Sequence, residues 1–284
     1  MMKMKKYSFI LLMMAAMLLP SCGNARTHKP LMGGVLPAET RSAATNDESA
    51  ATAVSAGDFW LPAKLTGVPE QILQRTGYVV SYNRTNRLPN WVAWHLTASH
   101  TTGSYKRNGI KFHEDEDVPT PRATHFDYMS SGYDRGHMCP SGDNKWSEQA
   151  QEESFLMTNM CPQVHNLNAG DWNEMEGQCR KWAKEYGDIY IVCGPILYRT
   201  KHKTIGQDKV VVPEAFFKVV LRMGSNPRAI GFIYKNQEGN RPKGDYVNSI
   251  AQIERITGIQ FFSGMSAKQK QSLEKNVNLS DWGL

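Results

Sequence analysis

Between residues 132 and 180 the chain gathers polar side chains suited to a single kind of chemistry. Gly-Tyr-Asp-Arg-Gly-His-Met-Cys-Pro fills 132–140, Thr-Asn-Met-Cys-Pro-Gln fills 158–163, and Asn-Ala-Gly-Asp-Trp fills 168–172, followed by Glu176 and Arg180. Few of these side chains are apolar enough to be present for packing. A phosphodiester resists water because its charge repels nucleophiles and its leaving group is a poor alkoxide. His137 is the candidate general base, since an imidazole is unprotonated near neutral pH and still accepts a proton. Arg135 and Arg180 offer planar, permanently charged forks for phosphate oxygens. The set suits hydrolysis of a phosphodiester beside a hard divalent metal.

Each assignment has a structural alternative. His95, His100, His113, His125, His165 and His202 lack comparable company and read as hydrogen-bonded structural histidines. Arg180 and Glu176, one helical turn apart, could form a surface ion pair. Asn168 could cap the helix that follows it.

The ordered set Asp134-Arg135-Gly136-His137, Asn159-Met-Cys-Pro-Gln163, Asn168, Trp172, Glu176 and Arg180 resembles the DNA/RNA non-specific endonuclease family, which carries a ββα-metal active site. Asp-Arg-Gly-His alone is unspecific; the specificity lies in the further positions at matching spacing. The likeness continues through Val-Cys-Gly-Pro-Ile (192–196), Val-Pro-Glu-Ala-Phe-Phe-Lys (212–218) and Ile-Glu-Arg-Ile-Thr-Gly-Ile-Gln-Phe-Phe (253–262), covering most of the chain from about residue 58.

The resemblance implies the roles. His137 is the base. Asn168 is the sole direct protein ligand to Mg²⁺, with Mn²⁺ as a substitute. Glu176 holds metal-bound water, Arg135 and Arg180 grip the phosphate, and Asn159 orients the phosphate or other site groups. Asp134 has a supporting role, and Gly136 allows tight backbone between Arg135 and His137. The implied activity is sequence- and sugar-non-specific cleavage of DNA and RNA, leaving 5′-phosphates. The sequence has no long basic tract or aromatic series to read bases, in keeping with an enzyme that grips the backbone. Two other classes compete with this reading: a non-catalytic nucleic-acid-binding envelope lipoprotein, and a structural or adhesive one.

The elements that position these residues follow from pattern. Tyr78–Tyr82 and Trp91–Leu96 read as strands, as do 188–193 (ended by Gly194-Pro195), 209–212, 216–222 and 229–234. Gln149–Ser154 reads as a short helix or turn, and Phe155–Thr158 as a buried strand delivering Asn159. Over 170–186, Trp172, Met175, Cys179, Trp182, Ala183 and Tyr186 share one helical face, with Glu176 and Arg180 on its flank and Gly187 as the stop. Tyr246–Thr257 reads as a helix, and the acidic run Glu114–Asp117 as a solvated loop. Strands and helices do not alternate strictly, so the expected fold is α+β with a mixed, largely antiparallel sheet.

Met1–Leu19 has the basic start and short apolar run of a secretory signal. Leu18-Leu19-Pro20-Ser21-Cys22 resembles a bacterial lipoprotein signal, making residues 1–21 a signal peptide and Cys22 a lipid anchor; an ordinary signal cut near Ser21 or Ala25 is the alternative. Residues 22–57, with Val54 as the only sizeable apolar side chain of 43–56, read as a flexible tether, and 58–284 as a single catalytic domain. The expected location is the cell envelope. The formal net charge is +6, and Lys3, Lys5 and Lys6 account for three of those charges, so the mature chain is only mildly basic. Cys139, Cys161, Cys179 and Cys193 remain, an even set compatible with disulfides in an oxidising compartment, with a Cys139–Cys161 bridge the pairing to test. A zinc site is the less favoured alternative, because no Cys-x-x-Cys occurs. Two cysteines beside the site motifs would make activity redox-sensitive.

Overall fold

The computed structural model describes residues 58–275 and 277–284. The expected signal sequence (1–21), the lipid anchor expected at Cys22 and the expected tether (22–57) lie outside the described residues.

The chain begins with a meander of β1 (Gln71–Gln74), β2 (Val79–Asn83) and β3 (Leu88–Leu96). A long excursion carries β4 (Asp134–His137), α1 (Glu148–Glu153), β5 (Met160–Gln163), the single turn α2 (His165–Leu167) and α3 (Asn173–Tyr186). The chain returns through β6 (Ile189–Ile196), the short pair β7 (Thr204–Ile205) and β8 (Val210–Val211), then β9 (Ala215–Arg222), β10 (Arg228–Lys235) and β11 (Val247–Asn248). Helices α4 (Ile250–Thr257) and α5 (Ala267–Lys275) follow. The main sheet has seven strands in the order β1-β2-β3-β6-β9-β10-β11. Each of its pairings is antiparallel; the one parallel bridge among the described residues, His113 to Leu156, lies outside it. Strands β4 and β5 form a separate antiparallel ribbon.

Both faces of the sheet are covered, which is why its central strands are largely apolar, with Lys218 of β9 a buried exception. Along β9, Phe216 and Val220 pack on the side of α3, while Phe217, Val219 and Leu221 pack on the side of α4. The α3 side holds Trp94, Trp172, Met175, Cys179 and Trp182; the α4 side holds Trp91, Ile250, Ile253 and Phe261. Trp172 and Trp182 are fully buried, and burial of side chains of this size contributes roughly 1.5–3 kcal/mol each. This stripe fixes α3 against the sheet and leaves its flank to the cleft. Gly187, at φ 82°, ends the helix as expected.

Four expectations need correction. Phe155–Thr158 is not a strand: the chain turns through Met157–Asn159 and strand pairing starts at Met160, because Thr158 bonds Asp115 and Asn159 bonds the chain around it. The strand at 189 runs through Gly194-Pro195 to Ile196; Gly194 is required there, since a Cβ would sit 2.6 Å from the Asn90 carbonyl oxygen. The helix expected from Tyr246 starts at Ile250, because Val247–Asn248 pairs with β10 and Ser249 caps the Gln252 N–H. The acidic run is not wholly solvated: Asp115 is buried, and its two oxygens accept from Arg75 Nη2 at 2.7 Å while Oδ2 also accepts from the Thr158 hydroxyl.

The cysteine expectation is also corrected. Cys139, Cys161, Cys179 and Cys193 are buried free thiols, with no Cys139–Cys161 bridge. Cys139 Sγ accepts from Asn144 and Cys193 Sγ donates to the Met138 carbonyl, so each thiol has its own packing place. Burial pushes the Cys139 and Cys161 thiols well above the usual range, and Cys179 and Cys193 up to about 12. Buried, protonated thiols are inert, so redox control through them loses its basis.

Candidate active site

Strand β4 consists of the four residues Asp-Arg-Gly-His, paired so that His137 faces Met160 and Gly136 faces Cys161. Gly136 is required by a neighbour: a Cβ there would lie 2.0 Å from Gln163 Oε1, because the buried Gln163 side chain crosses that spot. Asn159 latches the chain just past His137. Its side chain accepts from the Cys139 N–H and donates to the Cys139 and Ser154 carbonyls, while its own carbonyl accepts from the Met138 N–H. On the other side, Trp172 Nε1 donates to the His137 carbonyl at 3.0 Å. His137 is thus positioned through its backbone by two residues that never meet solvent.

Around this ribbon lies a cleft of about 660 Å³, and His137, Arg135, Asn168, Glu176 and Arg180 all line it. Asn159 does not: it is fully buried and its amide is committed to the latch, so it orients the site and not the phosphate.

The His137 ring packs against Phe112 and, edge-on, Phe155, with centroids 5.6 and 5.1 Å away. Burial, reinforced by the Arg107 guanidinium, pushes its pKa down to about 3, so the imidazole is neutral. Its Nε2 is buried and has no hydrogen-bond partner among the described residues. Arg135 lies over Phe112 and Tyr128 and spends one N–H on the His125 carbonyl at 2.7 Å. These contacts fix the plane of its fork.

Arg180 pairs with Asp143 at 3.0 Å, not with Glu176. Asp143 is buried and also accepts from Trp94 Nε1, so it holds the arginine rigidly at the cleft wall. Glu176, without an ion pair of its own among the described residues, is pushed up to about 7 by burial, against the pull of Lys218, Arg180 and Arg107. Lys218 itself is fully buried, with Nζ 4.1 Å from the Trp172 ring centroid and 5.4 Å from that of Trp94. Cation–π contact stands in there for hydrogen bonds.

Asn168 does not N-cap the helix that follows it: Trp172 precedes α3, and Asn168 closes α2. It is helical itself, at φ −60° and ψ −48°, at the start of a widened turn (Asn168–Trp172) broken at Gly170. Its Nδ2 donates to Asp134 Oδ2 at 2.9 Å, and His165 Nδ1 lies 2.8 Å from the same oxygen. That bond fixes the amide's orientation, and its Oδ1 accepts no hydrogen bond from a described residue. Among the described residues no group of three or more His, Cys, Asp or Glu could hold a metal ion. Asn168 Oδ1 is a single hard, neutral oxygen that could hold a metal ion at the cleft.

Sequence reasoning missed Arg107, Lys106, Lys145 and Asp143, and it set His165 aside. The adjacent Lys106 and Arg107 were the only available signal for the first two. Asp143 gave none, since a lone acid shows its partner only after folding.

A ββ ribbon followed by a helix, with histidine on the ribbon and asparagine ahead of the helix, defines the ββα-metal nuclease fold. A profile of the DNA/RNA non-specific endonuclease family matches residues 57–268, and the chain belongs to that family. It is 35% identical over 230 residues to the mitochondrial nuclease EXOG of Danio rerio, covering 73% of this chain and 66% of that one. To nuclease C1 of Cunninghamella echinulata var. echinulata it is 37% identical over 212 residues, covering 69% and 84%. To mitochondrial endonuclease G of Bos taurus it is 32% identical, covering 70% and 71%. A chain of the solved EndoG/EndoGI complex superimposes with a TM-score of 0.69 at 29% identity, covering 74% of this chain and 91% of that one. The match spans 59% of the EXOG of Xenopus laevis and 55% of the human one, so it covers little more than half of some relatives.

Proposed function

We propose that this chain is a metal-dependent endonuclease that hydrolyses phosphodiester bonds in DNA and RNA without regard to sequence or sugar, leaving 5′-phosphates. The observation that carries the reading is the convergence of a neutral His137, Arg135, Arg180, Asn168 and Glu176 on one cleft. His137 takes the proton from the attacking water. Arg135 and Arg180, each anchored at one edge, offer their remaining N–H groups to the phosphate oxygens. Asn168, oriented by Asp134, would hold Mg²⁺, or Mn²⁺ in its place, and Glu176 would orient the ion's waters. When bound, the ion supplies positive charge beside the phosphate and the departing oxygen. A base of pKa about 3 is weak, and the substrate corrects this: an anionic phosphate beside the ring favours imidazolium and raises the pKa towards neutrality.

The test is digestion of plasmid and RNA with Mg²⁺, with EDTA, and by the His137→Ala variant. Cleavage that needs both metal and His137 is expected. Full metal-dependent cleavage by the variant would exclude His137 as base; salt-sensitive binding with no turnover would indicate a non-catalytic binding protein.

The proposal extends to the cell envelope, with residues 1–21 as signal, Cys22 acylated and residues 22–57 as tether to a domain at 58–284. It rests on the sequence pattern. Mass spectrometry of the mature N-terminus should find acylated Cys22, and Cys22→Ser should release the protein from membranes; an unmodified N-terminus elsewhere would sink it.

A further inference from the structure

Beyond the catalytic cleft, on the far side of Tyr133, lies a second groove of about 190 Å³; Tyr133 lines both. The groove is basic and aromatic. Arg199, Lys203 and Lys235 line it, and none forms an ion pair among the described residues. Lys203 Nζ sits 4.7 Å from the Tyr133 ring centroid and 3.3 Å from its hydroxyl, so the cation stands at the passage between the two cavities. Tyr198 is 58% exposed, an uncommon position for a large aromatic ring. The acid in the wall, Glu214, is turned inward: its side chain is 7% exposed and is engaged by His202 Nδ1 and the Tyr198 N–H. It therefore holds the Tyr198 loop, and the three cations of the lining outnumber it.

The floor is rigid and tied to the catalytic elements. Asn236 donates to the Pro162 and Pro213 carbonyls and accepts from the Val164 N–H, each at 2.9 Å. Those contacts clamp the groove to the end of β5 and to the turn that leads into Asn168. A groove so fixed keeps register with the scissile phosphate.

We propose that this groove is a secondary binding site for a single-stranded segment of DNA or RNA flanking the scissile bond. Arg199, Lys203 and Lys235 take its phosphates, and Tyr198 stacks one unpaired base. An exposed ring beside unpaired cations is the combination that binds single strands without reading sequence. The inference rests on the nuclease reading for the identity of its ligand, but not for its test.

The test compares the whole protein with Arg199→Ala/Lys203→Ala and with Tyr198→Ala. Binding of a labelled 20-nucleotide single strand is followed by fluorescence anisotropy in EDTA across a salt series, and cleavage of a dinucleotide is followed with Mg²⁺. The double variant should bind the strand more weakly and lower the slope of log affinity against log salt by about 1.4, at roughly 0.7 for each phosphate no longer neutralised. Tyr198→Ala should weaken binding by about tenfold at constant slope. Dinucleotide cleavage should be unchanged, showing that the variants are folded and the site intact. Unaltered affinity and slope in the double variant would overturn the groove. Failure of the unmodified protein to cleave anything would sink the nuclease reading instead, while anisotropy would still decide the groove.

Discussion

Asp134 Oδ2 accepts from Asn168 Nδ2 at 2.9 Å, across 34 residues of chain. The bond commits the amide nitrogen to the carboxylate and leaves the oxygen as the end that would hold the proposed ion. Removing the carboxylate frees the amide to rotate and present nitrogen. Asp134→Ala should therefore raise the Mg²⁺ concentration for half-maximal activity by about 10–100-fold, with a smaller effect at saturating metal. An unchanged metal requirement would exclude the positioning role.

His137 should make folding less favourable in acid. Its folded pKa of about 3 lies below the ordinary value of 6.5, so the unfolded chain binds the extra proton. Stability is complete above about pH 6.5 and is lost as pH falls towards 3, at up to about 1.4 kcal/mol per unit. His137→Gln should flatten the fall in denaturant midpoint over that range; an identical pH profile would contradict a buried neutral imidazole.

Glu176 should act with the opposite sign. Burial raises its folded pKa from 4.5 to about 7, so the folded chain binds more protons in between. Its contribution is intact below pH 4.5 and erodes as pH rises through 7. In EDTA, Glu176→Gln should be more stable than the parent at pH 8, on the order of 2–3 kcal/mol, and equal to it near pH 4. Activity should fall sharply at every pH. Equal stability at pH 8 would mean that the carboxylate is not desolvated.

Asn159 should behave as a structural residue. Asn159→Ala leaves the Cys139 N–H and the Cys139 and Ser154 carbonyls without the partners they have now. The expected cost is about 2–4 kcal/mol, since unsatisfied buried groups forfeit their desolvation. Unfolding in urea reads the loss directly. A fully stable variant with a raised KM would return Asn159 to the phosphate.

Trp172 tests the second support of His137. Trp172→Phe keeps most of the buried ring but removes the N–H that donates to the His137 carbonyl. The loss should be about 1–3 kcal/mol in stability, and if His137 is the base and the arginines bind phosphate, as proposed, kcat falls more than KM changes, because His137 shifts while Arg135 and Arg180 stay. Unaltered kcat would show that the bond does not position the base.

Much of this protein was legible before folding. The helical stripe of Trp172, Met175, Cys179 and Trp182 marked α3 and its buried face, since a period of 3.6 shows in one dimension. The alternating or apolar runs at 78–82, 91–96, 216–222 and 229–234 marked four strands of the sheet for the same reason, with ends that fold to 79–83, 88–96, 215–222 and 228–235. His137, Arg135, Asn168, Glu176 and Arg180 stood out by type and spacing, and the cleft brings all five together. Only tertiary structure could decide what holds them. Asn159 read as orienting the phosphate or other site groups, and the fold commits its amide to Cys139 and Ser154; Asp143 and His165 gave no signal, yet Asp143 pairs with Arg180 and His165 lies against Asp134. Such pairings join residues 20 to 37 positions apart in sequence. The physical reason is that periodicity and residue type are local, whereas desolvation and the partner of a buried polar group depend on which distant segment the fold sets against it.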